Sequence, residues 1–377
     1  MLPEDTQLIS VDDHVIEHAN VWQDRLPEKY KAAGPWVERN AAGADVWHFE
    51  DTIYSNIGLN AVAGKSKEEF GLEPLVWDDM IPGCYDPAAR VRDMDTDGIQ
   101  AQLCFPSMPG FAGTKFAQAK DKDLALACVQ AYNDWMIDEW CGYAPDRFIP
   151  MVLLPFWDPQ ASVTEIERTA AKGAKAITFP ENPVALGFPS FHSDHWDPLL
   201  AAAQDAQLPL CMHFGTGGAP SVSPDAPFAV AIALFGMNSQ FTVTELLFSP
   251  MFRKFPNLKV ALSEGGIGWI PYVLERCDYT WERHRHYQHL ELQVPPSEIF
   301  RDHVYGCFIS DEGGLDALDR IGVDAVMWEC DYPHSDSNWP NSRKMLGESL
   351  LNIADADARK IAELNARKLF NFTGGRS

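Results

Sequence analysis

The sequence predicts an α/β protein built as a (β/α)8 barrel, with an insertion between its first and second strands. Three observations predict it: apolar, β-branched runs alternate with helix-like stretches from end to end, eight such runs are present, and metal-capable side chains recur where four of them end. Near-continuous apolar strands mark a parallel sheet covered by helices, and eight of them suffice to close a barrel. A doubly wound sheet is the competitor, but no GxGxxG follows the first run, so its dinucleotide-binding version loses support.

The runs read as strands are 7–11, 99–105, 148–155, 174–179, 208–213, 258–263, 303–310 and 324–330. Stretches such as "DKDLALACVQAYNDWMIDEW", "SVTEIERTAAKG" and "DPLLAAAQDAQ" lie between them, apolar at spacings of three and four, with Gly173 as the C-cap of the second. The segment from about Val21 to Ala89 is too long for one crossover and is read as an insertion forming a hairpin and lid on one barrel face. Its aromatic residues Trp47, Phe49, Tyr54 and Trp77 either cover the pocket or pack against the barrel. The stretch "DADARKIAELNARKLFNF" reads as an amphipathic helix ending at Gly374-Gly375. The whole of 1–377 is expected to be one domain.

The 377 residues are 46% hydrophobic and include 12 Trp, enough for a large core and too apolar for disorder. A formal net charge of -24 makes nucleic acid and anionic membrane surfaces poor partners. No signal-peptide pattern and no apolar run of about 18 residues is expected to span a membrane. The eight cysteines are scattered without a CxxC pair, as in a reducing compartment. A cytoplasmic location is the expectation.

In such a barrel the chemistry sits at the C-terminal ends of the strands. The first strand exits at Asp12, Asp13 and His14, the fifth at His213, the sixth at Glu264 and the eighth at Asp331. Asp12 and His14 are two apart, so an extended strand turns both to one side. Two ligands from one strand and two from strands across the barrel enclose one divalent ion. Imidazole with carboxylate suits Zn2+ first, with Mn2+ or Fe2+ as alternates, better than Ca2+ or Mg2+. Singly, each residue has a plainer reading: His213 as a core histidine, Asp331 as a turn former before Tyr332-Pro333. Their joint placement at strand exits favours the metal.

With these residues in place, the chain resembles the amidohydrolase superfamily, in the branch around aminocarboxymuconate-semialdehyde decarboxylase. The stretches that carry the resemblance are "ISVDDHVIE", "RVRDMDTDGIQAQLCFPS", "YNDWMIDEWCGYAPDRFIPMVLLP", "AITFPENP", "WDPLLAAAQDAQLPLCMH" and "CDYPHSDSNWP". The resemblance implies a distorted barrel holding one catalytic divalent ion, with Asp12, His14, His213 and Asp331 as ligands. The first ligand departs from the usual His or Glu. Glu264 stands where decarboxylases of the branch usually carry a His, and an acceptor-only carboxylate cannot polarise a carbonyl as an imidazolium can. Lys175 lies at the start of the fourth strand, not its end, so a bridging carboxylated lysine is not expected and the site is read as mononuclear.

The leading expectation is therefore a metal-dependent hydrolase acting on a small, ring-bearing substrate through metal-activated water, with Asp331 as proton acceptor assisted by Glu264 or His334. The alternative is a metal-dependent decarboxylase of an aromatic or muconate-like acid, with Asp331 delivering a proton to carbon. A non-catalytic relic is disfavoured by the cost of four unsatisfied polar groups at strand ends. The "ERHRHYQHL" cluster lacks the i, i+4 spacing of a helical ligand pair and reads as a solvated helix, and "GTGGAP" after His213 as a flexible active-site loop. The expected partners are a small-molecule substrate and, from the family, a second copy of the chain.

Overall fold

The computed structural model describes residues 2–55, 57–58, 60–71 and 75–375. Its barrel strands are β1 (Leu8–Val15), β5 (Ile99–Pro106), β6 (Phe148–Ile149), β7 (Met151–Val152), β8 (Ala176–Thr178), β9 (Leu210–His213), β10 (Val260–Ser263), β11 (Val304–Phe308) and β12 (Val326–Trp328). All eight expected runs contain a strand, the third being split into β6 and β7 at Pro150, which has no N–H to give a ladder. The insertion contributes an antiparallel sheet of β2 (Trp36–Arg39), β3 (Asp45–Phe49) and β4 (Thr52–Tyr54).

The barrel wall is two parallel sheets, β1-β5-β6 and β7-β8-β9-β10-β11-β12. Pro150 joins them, its carbonyl accepting from the Lys175 and Ala176 amides at 2.8 and 3.3 Å. At the opposite seam the chain just past β12 does the closing. The Asp331 amide donates to the Asp12 carbonyl at 2.8 Å, and the His14 amide to the Tyr332 carbonyl at 2.7 Å. This seam brings the first and last metal-capable motifs side by side.

Register along β1 decides what faces inward. Ile9 and Ser10 pair with Ala101 and Gln102, whereas Asp13 and His14 pair with Cys104 and Phe105. Val11 and Asp12 therefore oppose the single residue Leu103, which is a β-bulge. Ile9 and Val11 belong to the barrel interior with Ala101, Leu103 and Phe105. Strict alternation would have continued inward with Asp13; the extra residue turns Asp12 and His14 inward instead and sends Asp13 outward. The far end of the barrel is plugged by Leu369, at the end of the C-terminal helical stretch 355–369, and by Phe370 and Phe372 just past it.

Helices begin and end on local signals. Asp86 caps Pro87–Asp97 through the Ala89 amide, with Pro87 at the first turn and Gly98 left-handed at the end. Asp158 caps Pro159–Ala171, and Gly173 follows with φ of 100°. Trp47 and Phe49 of the insertion are buried against Trp22 and Phe116, with ring centroids 5.3 Å apart in each pair, so these two aromatics are core rather than cover. The helical stretch Phe228–Phe248 has the length and composition of a membrane span, a test that core helices pass as well. It breaks at Leu234-Phe235 and buries Ser239, Thr242, Val243, Leu246 and Leu247. All eight cysteines are buried and unpaired.

Glu17, just beyond β1, is buried and accepts the Ser107 and Met108 amides at 3.0 and 2.8 Å. Burial pushes its carboxyl from 4.5 up to about 7, against those hydrogen bonds and Lys115. The native state thus holds the proton more tightly than the unfolded chain. Its contribution to stability is full below pH 4.5 and is lost as pH rises through about 7. A displacement of that size corresponds to about 3 kcal/mol. In Glu17→Gln this downward slope of stability between pH 5 and 7 is expected to flatten, whatever the absolute cost of the substitution, as read from urea midpoints. An unchanged slope would refute the assignment.

Candidate metal centre

Asp12, His14, His213, Glu264, Asp331 and His334 meet at the C-terminal mouth of the barrel. Their ligand-capable atoms form two groups, His14, Glu264, Asp331, His334 and Asp12, His14, His213, each within 4.8 Å and sharing His14. His14 Nε2 lies 3.4 Å from Asp12 Oδ1 and 3.2 Å from Asp331 Oδ1. His213 Nε2 lies 3.6 Å from Asp12 Oδ2 and 3.4 Å from Glu264 Oε2. The structure thus brings together every site residue expected from sequence.

The backbone is bent to do this. Glu264 and Asp331 sit directly after β10 and near the end of β12 with φ of 51° and 61°, a left-handed conformation that L side chains seldom adopt. The Glu264 amide points at the Glu329 carboxylate, 3.2 and 3.3 Å from its two oxygens. On His213, Nδ1 lies 2.7 Å from the Phe214 carbonyl. A carbonyl only accepts, so Nδ1 carries the proton and Nε2 presents its lone pair inward. The His334 ring lies over His14 with centroids 3.9 Å apart, its Nδ1 2.8 Å from Asp331 Oδ1. Phe111 packs on both His213 and His14, with centroids at 3.9 and 5.1 Å.

The donor set fits a cation. Both Asp12 oxygens, both His14 nitrogens, His213 Nε2, Asp331 Oδ1 and His334 Nε2 are buried with no hydrogen-bond partner. Burial, then the neighbouring Glu329, Glu264 and Asp331, hold the Asp12 carboxyl far above the ordinary range. Burial and Asp331 do the same to Glu264, and burial and Glu264 to Glu329. Burial raises Asp331 as well, with a hydrogen bond from Glu264 opposing it. The histidines move the other way. Burial, His334 and His213 lower His14, and burial brings His213 to about 3 and His334 to about 4. Neutral imidazoles with free lone pairs, among carboxylates that repel one another, form a site that one divalent ion would compensate.

Sequence reasoning missed Glu329, which is fully buried. The signal was there: Met327 faces the barrel interior, and the period of two carried one step past β12 turns Glu329 inward as well. Arg90 was missed too. It lies behind β1, donating to the His14 carbonyl through Nη2 at 2.6 Å and to the Gly83 carbonyl through Nε at 2.6 Å. Beside the donor cluster is a cavity of about 540 Å³ whose lining includes Glu264, Glu329, Phe214, Phe235, Phe308 and Lys67. Lys67 comes from the insertion, whose Val62 and Ala63 amides dock on the Pro333 carbonyl at 2.9 and 3.1 Å.

Comparison with known proteins bears on the chemistry. The gamma-resorcylate decarboxylase of Rhizobium sp. (strain MTP-10005) is 25% identical over 317 residues, covering 76% of this chain and 87% of that protein. A crystal structure of an amidohydrolase from Mycobacterium avium subsp. paratuberculosis superposes with a TM-score of 0.74 at 21% identity, covering 98% of this chain and 100% of the other. The 5-carboxyvanillate decarboxylase of Novosphingobium aromaticivorans, solved with manganese and 4-hydroxy-3-methoxy-5-nitrobenzoic acid, gives 0.69 at 20% identity, covering 97% and 96%.

These relatives overturn the expected hydrolase, because the similar enzymes of named reaction are carboxy-lyases. The donor set does not itself choose between the reactions, because a divalent ion among imidazoles and carboxylates can either activate water or hold an acid's carboxylate. Glu264 in place of an expected histidine was therefore not a sign of hydrolysis. The amidohydrolase family model matches residues 17–372, beginning just past Asp12 and His14 of β1, and the chain belongs to that family.

Proposed function

We propose that the protein is a divalent-metal-dependent decarboxylase of single-ring aromatic acids that carry a hydroxyl beside the carboxylate. The observation that carries this reading is the set of buried, unpartnered donors next to a cavity that borders them at Glu264 and Glu329 and is walled by Phe214, Phe235 and Phe308. Likeness to gamma-resorcylate decarboxylase supplies the substrate class. Asp12, His14, His213 and Asp331 would hold the ion, with Mn2+, present in a similar decarboxylase, ahead of Zn2+. When bound, such an ion supplies a positive charge that holds the acid's carboxylate and neighbouring oxygen.

The remaining work belongs to the chain. The phenylalanines take the ring, in a volume suited to a small ligand. As the bond from ring to carboxylate breaks, its electron pair stays on the ring carbon and carbon dioxide leaves. Asp331 then passes to that carbon a proton that it takes from the substrate's hydroxyl, which solvent restores. His334, with Nδ1 2.8 Å from Asp331 Oδ1, orients the carboxyl. The insertion acts as the cover, and Lys67 on it faces an otherwise acidic cavity.

The test is protein loaded with Mn2+ and given 2,6-dihydroxybenzoate and other hydroxybenzoates, following carbon dioxide release and ring-proton exchange in D2O. Metal-bound protein that does neither would exclude the reading. Lys67→Met is expected to raise KM for the acid by about 3- to 10-fold with kcat held within twofold, since an exposed cation aids binding of substrate and transition state alike. A fall in kcat with unchanged KM would place Lys67 in the chemical step instead.

A further inference from the structure

The "GTGG" that follows His213 is built around one carboxylate. Glu181, three residues past β8, is 3% exposed, and its Oε1 accepts the Gly215 amide at 2.8 Å, the Gly217 amide at 3.2 Å and the Asn238 Nδ2 at 3.0 Å. The Glu181 amide donates to Thr216 Oγ1 at 2.9 Å, and that hydroxyl donates to the His213 carbonyl at 3.1 Å. From the other side, Thr242 Oγ1 lies 3.1 Å from the Glu181 carbonyl, and Asn238 Nδ2 also donates to the Gly218 carbonyl at 2.8 Å. Strand exit, ligand loop and the helix Gly236–Phe248 are thereby tied at one side chain.

The glycines answer to this arrangement. Gly215 and Gly218 have φ of 87° and 98°, open only at a cost to other residues. Gly217 has a different reason: a Cβ there would stand 2.6 Å from Asn182 Cβ, so only glycine lets its amide reach the carboxylate. Glu181 takes no part in the metal cage, yet the loop groups it holds, at Gly215, Thr216 and Gly217, lie within four residues of His213. The loop carbonyl that fixes the His213 tautomer, on Phe214, sits between His213 and the first pinned amide. The other Glu181 oxygen takes no hydrogen bond among the described residues, and the side chain borders a separate cavity of about 340 Å³ that also touches Gly217, Gly218 and Asn238.

We propose that Glu181 is a positioning residue for the metal centre: by accepting the Gly215 and Gly217 amides it holds the loop that aims His213 Nε2 at the ion. The proposal rests on His213 being a ligand, as in the proposed function. Hydrogen-bonded partners behind a metal-bound histidine commonly govern affinity by roughly 10- to 100-fold. Glu181→Gln keeps an acceptor oxygen for the loop amides; Glu181→Ala leaves none; Gly217→Ala leaves the carboxylate and displaces its donor.

The test is Mn2+ affinity, read from the electron paramagnetic resonance of free Mn2+, beside the melting temperature of the metal-free proteins. Glu181→Ala and Gly217→Ala are expected to weaken Mn2+ binding at least tenfold, and Glu181→Gln less than threefold. Unchanged affinity in Glu181→Ala, with only a lower melting temperature, would reduce Glu181 to a structural residue and overturn the proposal. Equal losses in Gln and Ala variants would overturn it as well, since the acceptor would then not matter. Should Glu181→Ala fail to fold, Gly217→Ala and Glu181→Gln give the same decision. No Mn2+ binding by the unmodified protein would overturn the metal reading and this inference with it, whereas binding that is indifferent to Glu181 overturns this inference alone.

Discussion

Asp331→Asn is expected to lower kcat by roughly 10²- to 10⁴-fold, the range typical of a lost general acid. Asparagine is the substitution that isolates the effect. It tolerates the left-handed backbone that Asp331 adopts at φ 61°, keeps the side-chain shape and retains one oxygen toward the ion. What it lacks is an acidic proton to give to carbon. Measured at saturating Mn2+ with 2,6-dihydroxybenzoate, the variant should bind substrate and release almost no carbon dioxide. In D2O the unmodified enzyme should place one deuterium at the vacated ring carbon. A variant within fivefold of normal kcat, with the same deuterium incorporation, would remove Asp331 from the proton step.

The largest expected effect on stability belongs to Arg90. Its guanidinium is wholly buried, donating to the His14 and Gly83 carbonyls and to Gln102 Oε1 at 3.2 Å, and lying 4.3 Å from the Tyr332 ring centroid. Asp13, turned outward by the bulge in β1, is buried nearby and accepts the Tyr332 amide at 3.0 Å. Burial pushes the Asp13 carboxyl up to about 8, and Arg90 is the chief influence opposing it. Arg90→Met removes the cation and strands two carbonyls, so a loss of about 3–5 kcal/mol is expected from urea unfolding. Lysine should not rescue it, because a point charge cannot serve three acceptors in one plane. Part of the loss should return in Arg90→Met with Asp13→Asn, where no carboxylate is left uncompensated. A loss below about 1 kcal/mol would show that the network is not coupled as described.

Much of the site was legible in the sequence for a simple reason. In a parallel barrel the strand exits converge, so finding the exits finds the residues that meet. Asp12, His14, His213, Glu264 and Asp331 were located in that way, and His334 by its place three residues along the same loop. Glu329 was equally accessible, through the period of two that it shares with Met327, and its side chain was overlooked in favour of the exit itself. Arg90 could not be found this way. It comes from a helix packed behind β1, and nothing in local spacing says which helix face meets which carbonyl.

The sequence by itself determined the alternation of strands and helices, the identity of the donors and the strand ends they occupy, because these follow from hydrophobic period and chain order. The tertiary structure decided which donors face inward and what state they are in. Parity along β1 selects Asp13, and the bulge opposite Leu103 selects Asp12 and His14 instead; a bulge is a property of pairing with β5, absent from either strand alone. Protonation likewise depends on burial and on carboxylates brought together from β1, β10 and β12, which are far apart in the chain. That convergence builds the cage, and likeness to decarboxylases moves the expected chemistry from hydrolysis to decarboxylation.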